Sequence, residues 1–418
     1  MSLVNVISAI GNNSSVYPLI VRDCGIEIPS KVAMTYNQNL KDSKQMANNA
    51  IRERLIDEYG TSLVWLGGIP VMNSICDWGI KKMGYDPKVN TSLMKEGSKQ
   101  GLKYNIEKFK NIAPDEVKAM EKVLKNPKTY EKLQAGKFLL STLIPTVIMG
   151  YFLPKFNFAL TDKLKKKQEA VAPIMKKTLE AEKRYELYPE NSSNTTNKTA
   201  FKGVISSLAN MSTVNKMAIT DGGLTVGRVG TARNKYEKLE NGFKMSMMMF
   251  LNFVAPIWIA KGLDNFSGKV FNTNVNLDPN LLNDKNFINE IRDGKIKLPE
   301  KDFIEFIDNN PESKITKLCA KYCDVKFLKN GSRDPREFVD EQKIGNFIKE
   351  LKNFSTGATK SGDVNKYAKK ALYVKSANIL ANVGISSFLL AVALPKLTFI
   401  LRKKVTGSDA EPGLIKNA

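Results

Sequence analysis

An apolar stretch of 23 residues, Phe138–Leu160, contains a single charged residue, Lys155, and is followed by a lysine cluster at 163 and 165–167. A helix rises about 1.5 Å per residue, so a stretch of this length reaches across a hydrocarbon core of about 30 Å. Lysines at its end suit lipid headgroups. The stretch therefore predicts a helix that spans a membrane.

Three further apolar stretches predict spans, namely Thr61–Ile80, Met245–Ala260 and Ser376–Leu401. Prolines fall within or beside the four spans, and each is expected to kink or break its helix because proline carries no backbone N–H. These prolines are Pro70, Pro145, Pro154, Pro256 and Pro395. No sustained alternating pattern of strands appears. The predicted fold class is all-α, a multi-span helical membrane protein with Pro- and Gly-broken spans and a soluble helical insert.

The spans divide the chain into regions of different composition. The predicted order is a polar, helical N-terminal region (1–60), a membrane region (61–160) with spans at 61–80 and 138–160, a basic helical loop (161–244) with a linker at 188–200, a third span (245–260), a soluble α-helical insert (261–375), a fourth span with a basic end (376–404), and a tail (405–418).

The charge balance restricts the partners. The chain has 64 Lys and Arg against 42 Asp and Glu, a net charge of +22, and therefore attracts anions. Because the lysines flank apolar spans, we expect anionic lipid headgroups as partners and no specific nucleic acid. The soluble insert 261–375 is a second surface at which protein partners are expected to bind.

The chain contains no histidine, which excludes Ser-His-Asp and Cys-His catalysis and His-ligated zinc or haem. Of its four cysteines, Cys319 and Cys323 share a CxxxC spacing that does not match a zinc ribbon or a redox loop. No nucleophile or metal-ligand motif is present, so we expect neither an enzyme nor a cofactor nor a metal site.

A glycine-rich run at 221–230 has two interpretations. Gly223, Gly227 and Arg228 suit a loop that binds an anion, because glycine lets backbone N–H groups approach a phosphate. The run matches neither established phosphate-loop spacing, and no strand precedes it. A turn or a helix contact through small residues is the alternative.

Charged residues within spans are functional candidates by default. Here they are Asp77, Lys155 and Lys396, all near the end of a span. The two lysines are long enough for their amines to reach headgroups. Asp77 is too short for that, and we hypothesise that it pairs with Lys155.

The second and fourth spans share a short sequence motif. The sequence LPKFNFAL at 153–160 aligns with LPKLTFIL at 394–401, and the same offset aligns Leu139 with Leu380. Two halves of two spans each would be an internal repeat of the kind that transporters contain. The alternative is coincidence in a sequence of low complexity.

The positive-inside rule does not orient the spans, because the 15-residue flanks contribute 14 Lys and Arg to each side. This tie favours an alternative in which re-entrant or interfacial hairpins, broken at the prolines, rest on one leaflet. A third alternative is a soluble or peripheral basic protein whose apolar stretches are buried helices.

Three stretches together, YPLIVRDCG at 17–25, SLVWLGGIP at 62–70 and residues 222–235, resemble an uncharacterised set of bacterial hypothetical membrane proteins from gut-dwelling lineages. The resemblance spans most of the chain. It implies a multi-pass protein of the bacterial cell membrane, and it implies no activity and no site residues.

Two hypotheses for function follow from the prediction of a membrane protein. The first is a non-enzymatic membrane protein that organises the envelope or holds partners through its soluble insert. The second is a transporter or channel-like protein that uses the broken helices and Asp77.

Overall fold

The computed structural model describes residues 2–12, 15–41, 44–94, 100–171, 213–296 and 298–407. Within these residues the chain is helical and contains no strand, which confirms the all-α class. A single antiparallel bridge joins Phe327 to Arg333. The predicted linker at 188–200 and all but the first three residues of the predicted tail lie outside the described residues.

Five long helices build a bundle, and each consists of two α-helical parts joined by a π-helical segment of five residues. We call them the first to fifth broken helices; they run over 17–40, 44–82, 127–171, 235–270 and 364–406. The α-helical parts are Tyr17–Arg22 and Ile28–Leu40, Lys44–Leu63 and Ile69–Lys82, Pro127–Val147 and Leu153–Val171, Lys235–Met249 and Ala255–Val270, and Val364–Phe388 and Leu394–Thr406. The π-helical segments are Asp23–Glu27, Val64–Gly68, Ile148–Phe152, Phe250–Val254 and Leu389–Ala393.

A proline follows every one of these π-helical segments at the same distance, two residues after the segment ends. In a regular α-helix the proline ring would collide with the carbonyl four residues earlier, and that carbonyl would lose its donor. In four of the five helices the residue before the proline instead donates to a carbonyl five residues back, for example Leu153 N–H to the Ile148 carbonyl. The wider turn accommodates the proline without ending the helix.

Three of the described helices are long and apolar enough to cross a membrane, judged by length and composition. They are Pro127–Leu164, Lys235–Val270 and Val364–Thr406. The predicted first span, Thr61–Ile80, lies within the second broken helix and is not among them. The third span, predicted as only 16 residues, belongs to a helix of 36 residues that is long and apolar enough to cross a membrane.

The bundle also includes two unbroken helices. Leu3–Gly11 packs against the start of the fifth broken helix, and Thr213–Gly230 packs between the third and fourth. Thr213–Gly230 crosses the third broken helix where glycine faces glycine. A Cβ placed on Gly227 would come within 2.8 Å of the Gly150 Cα atom, so the two backbones are in direct contact.

The segments between the second and third and between the fourth and fifth broken helices fold together, and we call residues 83–126 and 271–363 the loop domain. Its helices are Leu102–Phe109, Pro114–Lys125, Pro279–Leu282, Lys285–Arg292, Phe303–Asn309, Lys314–Tyr322 and Glu341–Lys360, with a 3-10 turn at Thr91–Met94. Each segment has a core of its own, one around Phe109 and Met120 and the other around Phe287 and Phe354.

Buried hydrogen bonds join the two segments of the loop domain. The Gln100 side chain donates to the Val339 carbonyl at 2.9 Å and accepts from the Val339 N–H at 2.8 Å. Asn105 donates to the Pro335 carbonyl at 3.0 Å. The region predicted as a separate insert therefore packs against the preceding loop, and both loops lie at the same end of the bundle.

Candidate functional site

Charged side chains fill the interior of the bundle at the level where the first two broken helices meet. Glu27 and Lys31 are four residues apart on the first, so they share one helix face and form an ion pair. Arg54 and Glu58 repeat this spacing on the second, at 3.2 Å. Lys31 is 1% exposed, a degree of burial that lysine tolerates only when it is paired.

Glu58 is the centre of this network. Its carboxylate lies 3.6 Å from the Lys31 amine and 3.8 Å from the amine of Lys244 on the fourth broken helix, in addition to its contact with Arg54. Three helices therefore converge on one carboxylate. Such a group carries a large desolvation penalty when buried, which several close cations offset.

A cavity of about 90 Å³ lies beside Glu58, between the second, third and fourth broken helices and the end of Thr213–Gly230. We call it the arginine cavity, because Arg54, Arg228 and Arg233 line it together with acidic partners. Arg228 pairs with Asp57 and also donates to Thr61 at 2.8 Å. Arg233 contacts Glu237 at 2.9 Å and Glu53 at 3.6 Å.

The network extends from the arginine cavity to the end of the fifth broken helix. Arg402 donates to both carboxylate oxygens of Glu240, at 2.8 and 2.6 Å. This two-pronged geometry is the strongest that an arginine and a carboxylate form. Arg402 is 2% exposed, although the sequence places it in a basic cluster that predicts an exposed end.

A second cavity, of about 40 Å³, lies on the other side of Glu58. We call it the carboxylate cavity, because four acidic residues line it: Asp23, Glu27, Glu58 and Asp221. Its neutral wall includes Thr61, Ser62, Trp65 and Asn252. Asp23, Glu27, Trp65 and Asn252 belong to π-helical segments, so three broken helices widen where they enclose this cavity.

Arg22 shows how the bundle compensates for a proline. Pro256 has no N–H for the carbonyl of Asn252, four residues earlier. Arg22 of the first broken helix donates to that carbonyl at 3.4 Å. A buried cation therefore ties the first broken helix to the π-helical segment of the fourth, beside the carboxylate cavity.

No protein-family model, curated protein or solved structure matches this chain. Among the described residues, no group of three or more His, Cys, Asp or Glu is arranged to hold a metal ion.

Asp77, Lys155 and Lys396, the charges predicted to matter within spans, lie away from both cavities. Asp77 is half-buried and its carboxylate lies 2.5 Å from the Lys137 amine. Lys155 is exposed; its amine contacts the Tyr151 hydroxyl at 2.5 Å and lies over that ring. The hypothesised pair of Asp77 with Lys155 is therefore wrong, because Lys137, one residue before the apolar stretch, faces Asp77 instead. Lys396 is exposed on the outer face of its helix.

The five predicted kinks differ in geometry. Pro70, Pro154, Pro256 and Pro395 each follow a π-helical segment. Pro145 stands inside the α-helical part Pro127–Val147 of the third broken helix.

The glycine-rich run is helical over its whole length, within Thr213–Gly230, and does not form a loop. Gly227 supplies the close contact with Gly150, and Gly223 faces the Thr146 side chain. Arg228, the predicted anion ligand, is paired with Asp57. Of the two interpretations, the structure has the helix contact through small residues.

The sequence predicts a polar, helical region over 1–60, but nothing in it singles out Asp23, Glu27 or Lys31. Charges of both signs crowd 31–59, a pattern that is typical of a solvated helix and does not indicate side chains inside a bundle. One signal was available. Cys24 to Pro29 reads CGIEIP, a glycine and then a proline after an apolar turn, as in LGGIP at 66–70.

Proposed function

We propose that the protein is a multi-pass membrane protein in which the broken helices enclose a charged interior, and that this interior carries a small ionic solute across the membrane. The proposal rests on one observation above all: five helices meet around two cavities lined by charged side chains, while their outward faces are apolar.

The outward faces support a lipid environment. In the most apolar window of each of the three long helices only 33%, 28% and 39% of the residues are buried, so most residues there are at least partly exposed. Exposed apolar surface of this extent is unusual for a protein in water and expected in lipid. The exposed side chains include Leu63, Trp78, Leu139, Leu143, Phe152, Phe156, Trp258, Phe266, Phe388 and Ile400.

The interior supports a transport role. Charged residues inside a helical membrane bundle are costly, and they commonly mark the route of an ion or a proton. Transporters place their sites where helices are interrupted, because the interruption frees backbone groups at mid-bundle. The carboxylate cavity combines both features, since three π-helical segments and four acidic residues meet there.

Basic helix ends support contact with anionic headgroups. Lys163 lies near the end of the third broken helix, and Lys403 and Lys404 end the fifth. Lys155 and Lys396 stand on outward faces, where their long side chains can extend toward a membrane surface.

The membrane location is tested first by washing membranes that contain the protein with alkaline carbonate. A multi-pass protein stays in the pellet, and recovery in the supernatant would contradict the proposal.

Transport is tested with purified protein in liposomes on a solid-supported membrane, by recording the current after jumps in Na⁺, K⁺ or proton concentration. We expect a current that Glu58→Gln reduces at least tenfold and that Asp77→Asn leaves unchanged. Wild-type currents equal to those of protein-free liposomes for all three ions would refute transport.

The loop domain favours a second function, in which the protein holds a partner at the membrane surface. The domain has its own cores and exposes apolar side chains such as Tyr104, Ile112 and Phe338. A membrane protein that pellets with carbonate but gives no current would leave this function as the better proposal. The next experiment would then be Phe338→Glu. This variant replaces an exposed apolar side chain with a charged one and is expected to weaken the binding of a partner at this surface.

A further inference from the structure

The carboxylate cavity contains polar atoms that the protein leaves without partners. Asp23 Oδ1, Glu27 Oε2 and Asn252 Oδ1 are all buried, and none has a hydrogen-bond partner among the described residues. Glu27 is 3% and Asn252 7% exposed. A buried polar atom without a partner is unusual and costs free energy, so three oxygens around one cavity require an explanation.

These three atoms have the same chemical character. All are acceptor oxygens, and two of them belong to carboxylates. They also come from two different helices, the first and the fourth broken helices, so a group between them would bridge the bundle. What is missing is therefore a donor or a cation rather than an acceptor.

The distribution of cations around the cavity agrees with this conclusion. Lys31 contacts the Oε1 atom of Glu27, which leaves Oε2 for another group. Among the described residues no Lys or Arg lies within 4.0 Å of the carboxylate of Asp23 or Asp221, whereas Glu58 has three such neighbours. Positive charge is thus concentrated on the Glu58 side of the cavity.

We propose that the carboxylate cavity binds a small monovalent cation, with Asp23 Oδ1, Glu27 Oε2 and Asn252 Oδ1 as its ligands. Oxygen-only ligands suit a hard cation. A cavity of about 40 Å³ has room for such an ion with one or two waters. A monovalent ion fits better than a divalent one, because Lys31 and Arg22 lie nearby and repel positive charge. The inference deepens the proposed function, on which it rests only for the route by which the ion enters and leaves.

Binding is measured on the full chain in detergent, by its thermal unfolding in NaCl against choline chloride at equal ionic strength and pH. We expect Na⁺ to raise the unfolding temperature in a saturable way, by about 3 °C or more, because the ion binds the folded state alone. Asp23→Asn and Asn252→Ala each weaken the apparent affinity at least tenfold. Asp77→Asn, a matched loss of one carboxylate outside the cavity, retains the wild-type response.

Asn252→Asp separates a ligand role from a merely structural one, because the added carboxylate tightens Na⁺ binding while a packing defect would not. An equal response to Na⁺ and choline in the wild type would overturn the proposal, and so would an equal response of the wild type, Asp23→Asn and Asn252→Ala. In either case the cavity holds water alone. If Asp23→Asn does not fold, the two Asn252 variants decide.

Binding and transport fail in different ways. A saturable Na⁺ response in detergent without a current in liposomes refutes the transport role and leaves the site intact. A current that is independent of Na⁺ and of Asp23 refutes the site and leaves the transport role intact.

Discussion

Charged residues of this chain are paired according to tertiary contact and not according to the hydropathy segment in which they stand. Asp77 illustrates this. The sequence marks it as an isolated charge in an apolar stretch, but its partner, Lys137, stands just outside the next stretch and was assigned to a loop. Of the charged residues that the sequence singles out, only Arg228 lines a cavity. The partner that each charge meets could not be predicted, because pairing depends on how two helices are aligned.

The pairing of Asp77 is testable by double-mutant cycles. Asp77→Asn combined with Lys137→Gln is expected to give a coupling free energy of about 0.5 kcal/mol, since both side chains are partly exposed. The same cycle with Lys155→Gln is expected to give none. The measurement is the free energy of unfolding in mixed micelles. Coupling to Lys155 instead of Lys137 would contradict the structure.

Glu337 in the loop domain makes stability depend on pH. Its burial, and then the carboxylate of Asp334, raise the pKa of the Glu337 carboxyl. The folded state therefore holds the proton more tightly than the unfolded state, and stability falls as the pH rises from the ordinary glutamate range through the raised pKa.

Glu337→Gln removes the free-energy cost of holding an ionised carboxylate at this partly buried position. We expect the variant to unfold at a higher temperature than the wild type at pH 7, and at a similar temperature at pH 4, where the wild-type carboxyl is protonated in both states. A difference that is the same at both pH values would show that the pKa of Glu337 is not the cause.

At the scale of helices, the sequence predicts that the prolines break the spans. It does not predict that these breaks take the form of π-helical turns. A π-helical turn depends on one extra residue in the hydrogen-bonded ring, which apolar patterning does not encode. Pro29 differs from the other prolines, because the charged residues around it do not indicate the buried helix in which it lies. The Gly150–Gly227 contact was open as one of two interpretations, because glycine serves loops and close helix crossings alike.

The glycine crossing gives a sharp prediction. Gly227→Ala places a Cβ within 2.8 Å of the Gly150 Cα atom, and backbone cannot move aside as a flexible side chain can. We expect a loss of about 1–3 kcal/mol in stability. Gly230→Ala is the control on the same helix, because its Cβ would meet nothing within 4 Å. The two variants are compared by thermal unfolding, and equal effects would exclude the crossing as the cause.

At the scale of the whole molecule, the loop domain distinguishes one end of the bundle from the other. The Lys and Arg counts of the flanks tie, so the sequence could not orient the chain. The structure places 83–126 and 271–363 together at one end, and the end of the third broken helix lies at the other. This contact depends on residues more than 200 positions apart, such as the Asn105 side chain and the Pro335 carbonyl, which no local pattern relates.

Labelling of single cysteines tests this arrangement in intact cells, after the four native cysteines have been replaced. Cysteines at the exposed positions Lys118 and Lys349 are expected to react with an impermeant reagent from the same side of the membrane. Cysteines at Lys163 and Lys404 are expected to react only from the opposite side. Reaction of all four from one side would support hairpins on a single leaflet instead.

Arg333 is expected to hold the loop domain together. It is 1% exposed and donates to Asp308 at 2.8 and 3.2 Å, beside Asn105 of the other segment. Arg333→Met leaves the buried Asp308 carboxylate with Lys108, at 2.8 Å, as its remaining cation, and is expected to cost about 3 kcal/mol. Lys343→Met, in an exposed pair with Asp324, is expected to cost less than about 0.5 kcal/mol. The readout is protease cleavage of both loops as the temperature rises. We expect cleavage to begin at a lower temperature in Arg333→Met and at an unchanged temperature in Lys343→Met.

The union of two distant loops also has a consequence for biosynthesis. Asn105 and its partner Pro335 are separated by 230 residues, and a ribosome adds roughly 5–20 residues per second. The first half of the domain therefore waits for the second for about ten to fifty seconds, with its complementary face open to chaperones and proteases. The face is therefore protected only after the intervening helices have been translated.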